Sequence, residues 1–165
     1  MALILSIETS TLNCSVSLSQ NGVEISEASF QAEKYSHAEK LSPLIADCMQ
    51  SAGRALTDLH AIGVCKGPGS YTGLRIGVSA AKGLCFALGI PLVSVPTLEV
   101  LAHKAEAKSG IIVPMLDARR MEVYSAVFDE TYKSIETTSA KILDENSYSN
   151  LLQKNAVFFI GNGVE

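Results

Sequence analysis

Apolar residues along the chain follow first a short period and then a longer one. Residues 2–7 form a nearly unbroken apolar run, and residues 14–18 alternate, with Cys14, Val16 and Leu18 on one side. Asn21-Gly22 supplies a hairpin turn, and residues 23–30 return as a third strand. The first connection, Glu8-Thr-Ser-Thr-Leu-Asn13, is polar at every position but one, more than a simple turn needs. From Ser36 the spacing becomes helical: Leu41, Leu44, Ile45, Cys48, Met49 and Ala52 make one stripe. Ser36 and Glu39 have capping-box spacing, Pro43 predicts a bend, and Gly53 suits a left-handed helix end.

Residues 61–66 then predict a strand, 67–73 a glycine-rich loop, 74–88 a helix and 91–95 a strand, and Thr97 caps a helix to about residue 105. The order β-β-β-α-β-α-β-α predicts an α/β fold, a mixed sheet with helices packed on it. A second set follows: strands at 111–116, 122–128 and 132–138, a helix at 144–154 and a strand at 156–160. The expected domains are 1–105 and 106–165, with the boundary at 105–110. The second reads as related to the first and lacking its last elements.

Composition narrows the function classes. The 165 residues are 47% hydrophobic and 18% charged, enough for a core and too apolar for disorder. Thirteen Lys and Arg against 17 Asp and Glu give a net charge of −4, which argues against autonomous binding to a phosphate backbone. The four cysteines include no CxxC pair, and the three histidines never pair at i,i+4, so no metal site is expected. The start has no basic n-region, and the apolar stretch 76–95 is broken by Lys82, two glycines and Pro91. A cytoplasmic protein without a membrane span is the expectation.

Two segments concentrate candidate chemistry. Lys66-Gly-Pro-Gly-Ser-Tyr-Thr-Gly-Leu-Arg-Ile-Gly77 falls where a strand turns into a helix. Gly67, Gly69 and Ser70, with Glu8, Thr9 and Ser10 of the first connection, are candidates for nucleotide or phosphate contact; a tight strand-to-helix turn is the alternative. The loop matches neither a Walker A loop nor a dinucleotide fingerprint nor a nucleophile elbow. In the helix after it, Gly73, Gly77 and Ala81 form a small-residue row, Leu74 and Val78 belong to an apolar one, and Arg75 and Lys82 are the only charges. So apolar a circumference predicts burial of a second face, against another chain or beneath this protein's own second domain. A face of ~400 Å² would be worth about 10 kcal/mol gross. The expected partner interface comprises His37, Leu41, Leu44, Ile45, Cys48, Gly73, Arg75, Gly77, Val78 and Ala81. Arg119 and Arg120, in Asp117-Ala-Arg-Arg-Met-Glu122, either pair with neighbouring acids or present guanidinium groups to a phosphate or carboxylate. No nucleophile–base–orienter set can be assembled, so no catalytic residue is expected.

Ile7-Glu-Thr-Ser10, Ser36-His-Ala-Glu-Lys-Leu41, the segment from Lys66 to Gly77 and Leu116-Asp-Ala-Arg-Arg-Met-Glu-Val-Tyr124 resemble, in order, the TsaB (YeaZ) family. The resemblance runs from about residue 2 to the end. It implies an actin-like/Hsp70-type ATPase fold, two similar domains with RNase-H-like cores, and a family chain that continues beyond residue 165. The family is a glycoprotease-like paralogue of TsaD, which holds a metal with two histidines of an HxxxH segment; Thr97 and Leu101 stand in those places here. Leu12-Asn13 replaces an acidic pair. The resemblance therefore implies a non-catalytic subunit of the bacterial complex that makes N6-threonylcarbamoyladenosine at position 37 of tRNA. Its partners would be a TsaD-type transferase, a TsaE-type ATPase, a second copy when alone, and tRNA only through the complex. No cofactor is required of this chain; ATP or ADP is a candidate ligand at the heteromeric interface. The alternatives are a nucleotide-binding ATPase of the actin/Hsp70 superfamily and a glycoprotease-like peptidase.

Overall fold

The computed structural model describes residues 2–31, 36–105 and 109–164. It divides into two compact units, Met1–Val95 and Pro96–Glu165. In the first unit, β1 (Leu3–Glu8), β2 (Asn13–Gln20) and β3 (Val23–Gln31) form an antiparallel meander. β4 (Ala61–Cys65) adds parallel to β1 and β5 (Leu92–Val95) parallel to β4, so the sheet order is β3-β2-β1-β4-β5. Helix α1 (His37–Ser51) packs over β2 and β3, and α2 (Tyr71–Leu88) over β4, where the two helices also touch. One apolar cluster joins Leu5, Ile7, Val16, Leu18 and Ile62 of the sheet to Leu41, Ile45 and Cys48 of α1 and Ala81 and Cys85 of α2.

The second unit repeats this plan. β6 (Ile111–Arg119), β7 (Glu122–Phe128) and β8 (Ser134–Ile142) take the places of β1, β2 and β3, and β9 (Val157–Ile160), parallel to β6, takes that of β4. Two mixed sheets of this order are the RNase-H-like cores of an actin-like ATPase fold. α3 (Thr97–Ala102) precedes β6, and α4 (Ser149–Leu152) precedes β9.

Several elements depart from the sequence expectation, each for a local reason. The division falls at Val95/Pro96 instead of 105/106, because α3 packs Leu98 and Ala102 against Ile112 and Leu116 of β6; of the expected boundary stretch, residues 106–108 lie outside the described residues, as does Glu165. Ser36 makes no side-chain cap; the amides of Glu39 and Lys40 donate to its carbonyl instead. Pro43 lies within α1 without dividing it. α2 begins three residues earlier than expected because the Ser70 hydroxyl caps it, accepting from the Gly73 amide at 3.2 Å. α4 is short because the Asp144 carboxylate and the Ser147 hydroxyl bind the amides and hydroxyl of their own turn, competing with helix, and Tyr148 is left-handed.

Candidate functional site

The polar connection after β1 and the glycine loop before α2 are built against each other. The Thr9 hydroxyl donates to the Gly73 carbonyl at 2.8 Å, and the Ser70 amide donates to the Ser10 carbonyl at 2.6 Å. Glu8 Oε1 accepts the Ser10 amide at 2.5 Å. A side chain at Gly69 would run into Ser10, and one at Gly73 into the Thr9 carbonyl. Thr9 and Ser10 are accordingly only 1% and 3% exposed. The amides of Ser70, Gly73 and Leu74 are already engaged within this knot. Thr9 through its hydroxyl, Ser10 through its carbonyl and Ser70 through its amide thus hold the two segments together, as the tight-turn alternative has it, while the buried Ser10 hydroxyl has no hydrogen-bond partner among the described residues. Gly67 and Gly69 supply the positive φ that the loop requires, 103° and 153°.

The small-residue row turns inward as well. A Cβ at Gly77 would meet the Thr9 hydroxyl oxygen, and Ala81 is fully buried over the same sheet. Gly73, Gly77 and Ala81 therefore let α2 lie close on its own unit's first connection and sheet. Their close approach is to this unit's own first connection, where the sequence suggested a helix–helix seam with another chain. Leu41, Leu44, Ile45 and Cys48 face the core of the same unit, and His37 is buried with Nε2 3.4 Å from the Asn13 carbonyl. A stripe that repeats every four residues looks the same whether it faces its own sheet or a stranger. Cys85 was the missed signal: it continues the row at the next four-residue step, and a buried thiol closes the row onto the core.

What α2 leaves outside is its opposite flank. Tyr71 is 73% exposed and Phe86 91%, with Arg75, Ser79 and Lys82 exposed between them. The Arg75 guanidinium donates to the Tyr71 hydroxyl at 3.0 Å and lies 5.2 Å from its ring. Leu74 and Val78 are half-buried beside them and floor a recess of about 290 Å³. Between α1 and α2 runs a second, larger groove of about 400 Å³, lined by Ile45, Ala46, Met49, Leu56, Gly83 and Leu84 among others. Of the expected interface residues, Arg75, Val78 and Ile45 reach this surface. Sequence alone gives no mark to Tyr71 and Phe86, its two large exposed rings: Tyr71 falls in the glycine-rich loop pattern, and Phe86 is one more apolar position of a helix apolar all round.

Arg119 and Arg120 are exposed at the β6–β7 hairpin, and among the described residues neither guanidinium forms an ion pair. The carboxylate of Asp117 binds the Arg119 amide at 2.7 Å instead. Thr97 is buried, and Leu101 packs on the Leu98–Ile112 cluster, so both histidine-place residues belong to packing. All four cysteines are buried, and burial, then the Glu8 charge, pushes the Cys14 thiol up. Among the described residues, no three of His, Cys, Asp and Glu gather where they could hold a metal. No helix among them is long and apolar enough to cross a membrane.

Residues 27–151 match the family model described as TsaD: tRNA N6-adenosine threonylcarbamoyltransferase. The chain is 34% identical to the tRNA threonylcarbamoyladenosine biosynthesis protein TsaB of Escherichia coli (strain K12), over 91% of this chain and 66% of that protein. It is 38% identical to the protein of the same name from Bacillus subtilis (strain 168), over 76% of this chain and 54% of that one. The chain thus spans about half to two thirds of these relatives' length. The solved structure of YeaZ from Pseudomonas aeruginosa superposes with a TM-score of 0.80 at 30% identity, covering 99% of this chain and 77% of the other.

Proposed function

This chain belongs to the TsaB family, and from that premise we propose that it is a non-catalytic partner subunit of a bacterial tRNA threonylcarbamoyladenosine-synthesis complex, docking a TsaD-type transferase through the outer flank of α2. The observation that carries the reading is that flank: two exposed aromatic rings on one helix, Tyr71 and Phe86, with half-buried Leu74 and Val78 flooring a recess next to Tyr71. Exposed rings over a partly apolar floor are the usual anchors of a protein–protein contact, and an unpartnered flank of this kind is an aggregation hazard. The same flank serves for self-association when the partner is absent. A TsaE-type ATPase joins through the assembled pair, and tRNA is met there and not by this chain alone, in keeping with its net charge of −4. The place of work is the cytoplasm, where tRNA is modified.

The chain itself needs no cofactor in this reading. The Glu8–Ser10 connection, with the buried Thr9 hydroxyl and the Ser10 carbonyl hydrogen-bonded to the loop before α2, supports a structural use of that connection over an ATPase role. ATP or ADP belongs at the heteromeric interface, if to this chain at all. No residue set favours the peptidase alternative.

Size-exclusion chromatography with light scattering tests the proposal, with the chain alone and mixed with the transferase. Phe86→Asp is expected to weaken both assemblies at least about tenfold while leaving the thermal midpoint unchanged, since the ring is 91% exposed. Unchanged assembly in that variant would remove the α2 flank from the interface.

A further inference from the structure

The hairpin joining β6 and β7 has a backbone that its residues do not suit. Arg119, Arg120 and Met121 have φ of 69°, 57° and 62°, three consecutive left-handed residues with none of them glycine. A two-residue hairpin turn of type I′ needs positive φ at both central positions, which Asn-Gly supplies without strain. Here Arg120 and Met121 occupy them, and side chains of that size are unfavourable there. The surroundings hold the tip in place. Asp117 Oδ1 accepts the Arg119 amide at 2.7 Å, the Asp117 amide donates to Asn162 Oδ1 at 3.2 Å, and the Leu143 amide donates to the Met121 carbonyl at 2.8 Å. Strain kept up by neighbouring elements at an exposed position points to use of the side chains displayed there.

What is displayed is charge. Arg119 and Arg120 are exposed, and Met121 beside them is 71% exposed. Of the adjacent acids, Asp117 is engaged with the Arg119 amide, and Glu122 faces Arg119 across the hairpin ladder without pairing to its guanidinium. Two consecutive exposed arginines, neither in an ion pair among the described residues, thus stand on a chain whose net charge is −4. Met121 and Ile142, which stands opposite Glu122, are the large exposed apolar side chains at the tip, too little surface for the desolvated centre of a protein–protein contact. Adjacent planar forks on a rigid projection are suited to successive phosphates of a nucleic-acid strand.

We infer that the Arg119-Arg120 hairpin is a phosphate-contacting tip that holds the backbone of the tRNA once the chain is assembled with its transferase partner. The inference rests on the assembly proposed above, and it places the RNA contact in the second unit and the partner contact in the first.

The test uses the complex of this chain with the transferase and an unmodified tRNA transcript, with affinity followed by fluorescence anisotropy between about 50 and 200 mM salt. The double variant Arg119→Gln, Arg120→Gln is expected to bind about tenfold more weakly, with the slope of log K against log salt reduced by about one to two. Arg120→Gly is expected to lose affinity in the same direction while its thermal midpoint stays level or rises, because glycine accepts the φ of 57°. Unchanged affinity and slope in an intact complex overturn the inference. So does loss of assembly in the double variant, which would make the tip a protein contact. Failure of the unaltered chains to assemble would instead overturn the proposed function, and this inference with it.

Discussion

Thr9 is where the fit of α2 to its own sheet is decided. Its hydroxyl donates to the Gly73 carbonyl, its carbonyl fills the space a Gly73 Cβ would need, and its side chain does the same at Gly77. Thr9 is β-branched and hydrogen-bonded, so it cannot swing aside. Gly83 lies on the same helix with nothing within 4 Å of its missing Cβ. Replacing either glycine by alanine gains the same helix propensity, about 1 kcal/mol, so the difference between the two variants isolates the contact with Thr9. Gly83→Ala is expected to unfold at the native temperature or a few degrees above it. Gly77→Ala should be less stable than Gly83→Ala by about 1–3 kcal/mol, the usual cost of forcing a methyl into a packed site. Thermal melts of the two variants decide the point; equal midpoints would mean that Thr9 does not hold α2 down. In the sequence, Thr9 was visible only as part of a connection too polar for a plain turn. Its role depends on a helix more than sixty residues away, a separation that no local pattern can span.

At the scale of elements, strands were legible because they alternate, and helices because they carry a stripe. Leu41, Leu44, Ile45 and Cys48 mark the buried face of α1, and Leu3, Leu5 and Ile7 that of β1. Failures occurred where side chains bind their own backbone, as at Asp144 and Ser147 before α4, and where a helix had two apolar faces to choose between. On α2 the row of small residues in the sequence predicts closeness to another helix. It meant closeness to β1's connection, and the large side chains were left for the outside. If the α1–α2 groove receives part of a partner, filling it should block docking without loosening the fold. Gly83→Leu puts an isobutyl group into open space beside Met49 and Leu56. It is expected to keep the native midpoint within about 2 °C and to weaken association at least about tenfold, read by light scattering against concentration. A variant that associates normally would confine the interface to the Tyr71–Phe86 flank.

For the whole molecule, the consequence of two units is that core and contact separate cleanly. Every residue of the large cluster built on Leu5, Leu18 and Ile62 lies within Met1–Val95, and the clusters built on Ile112 and on Val113 lie within Pro96–Glu165. The first unit also carries both α1 and α2, hence the exposed flank and the groove, whereas Arg119 and Arg120 belong to the second. A domain of about 95 residues with its own sheet, two helices and a continuous core is large enough to fold alone. A fragment of residues 1–95 is therefore expected to unfold cooperatively and to bind the transferase within about threefold of the full chain's affinity. The resulting complex should hold tRNA as weakly as the Arg119→Gln, Arg120→Gln complex does. The comparison needs two measurements on one preparation, light scattering for assembly and anisotropy for tRNA. A fragment that folds yet fails to bind the transferase would assign docking to the second unit and undo the division of labour argued from α2. A fragment complex that binds tRNA as well as the full-length complex would leave the arginine hairpin without a role in RNA binding.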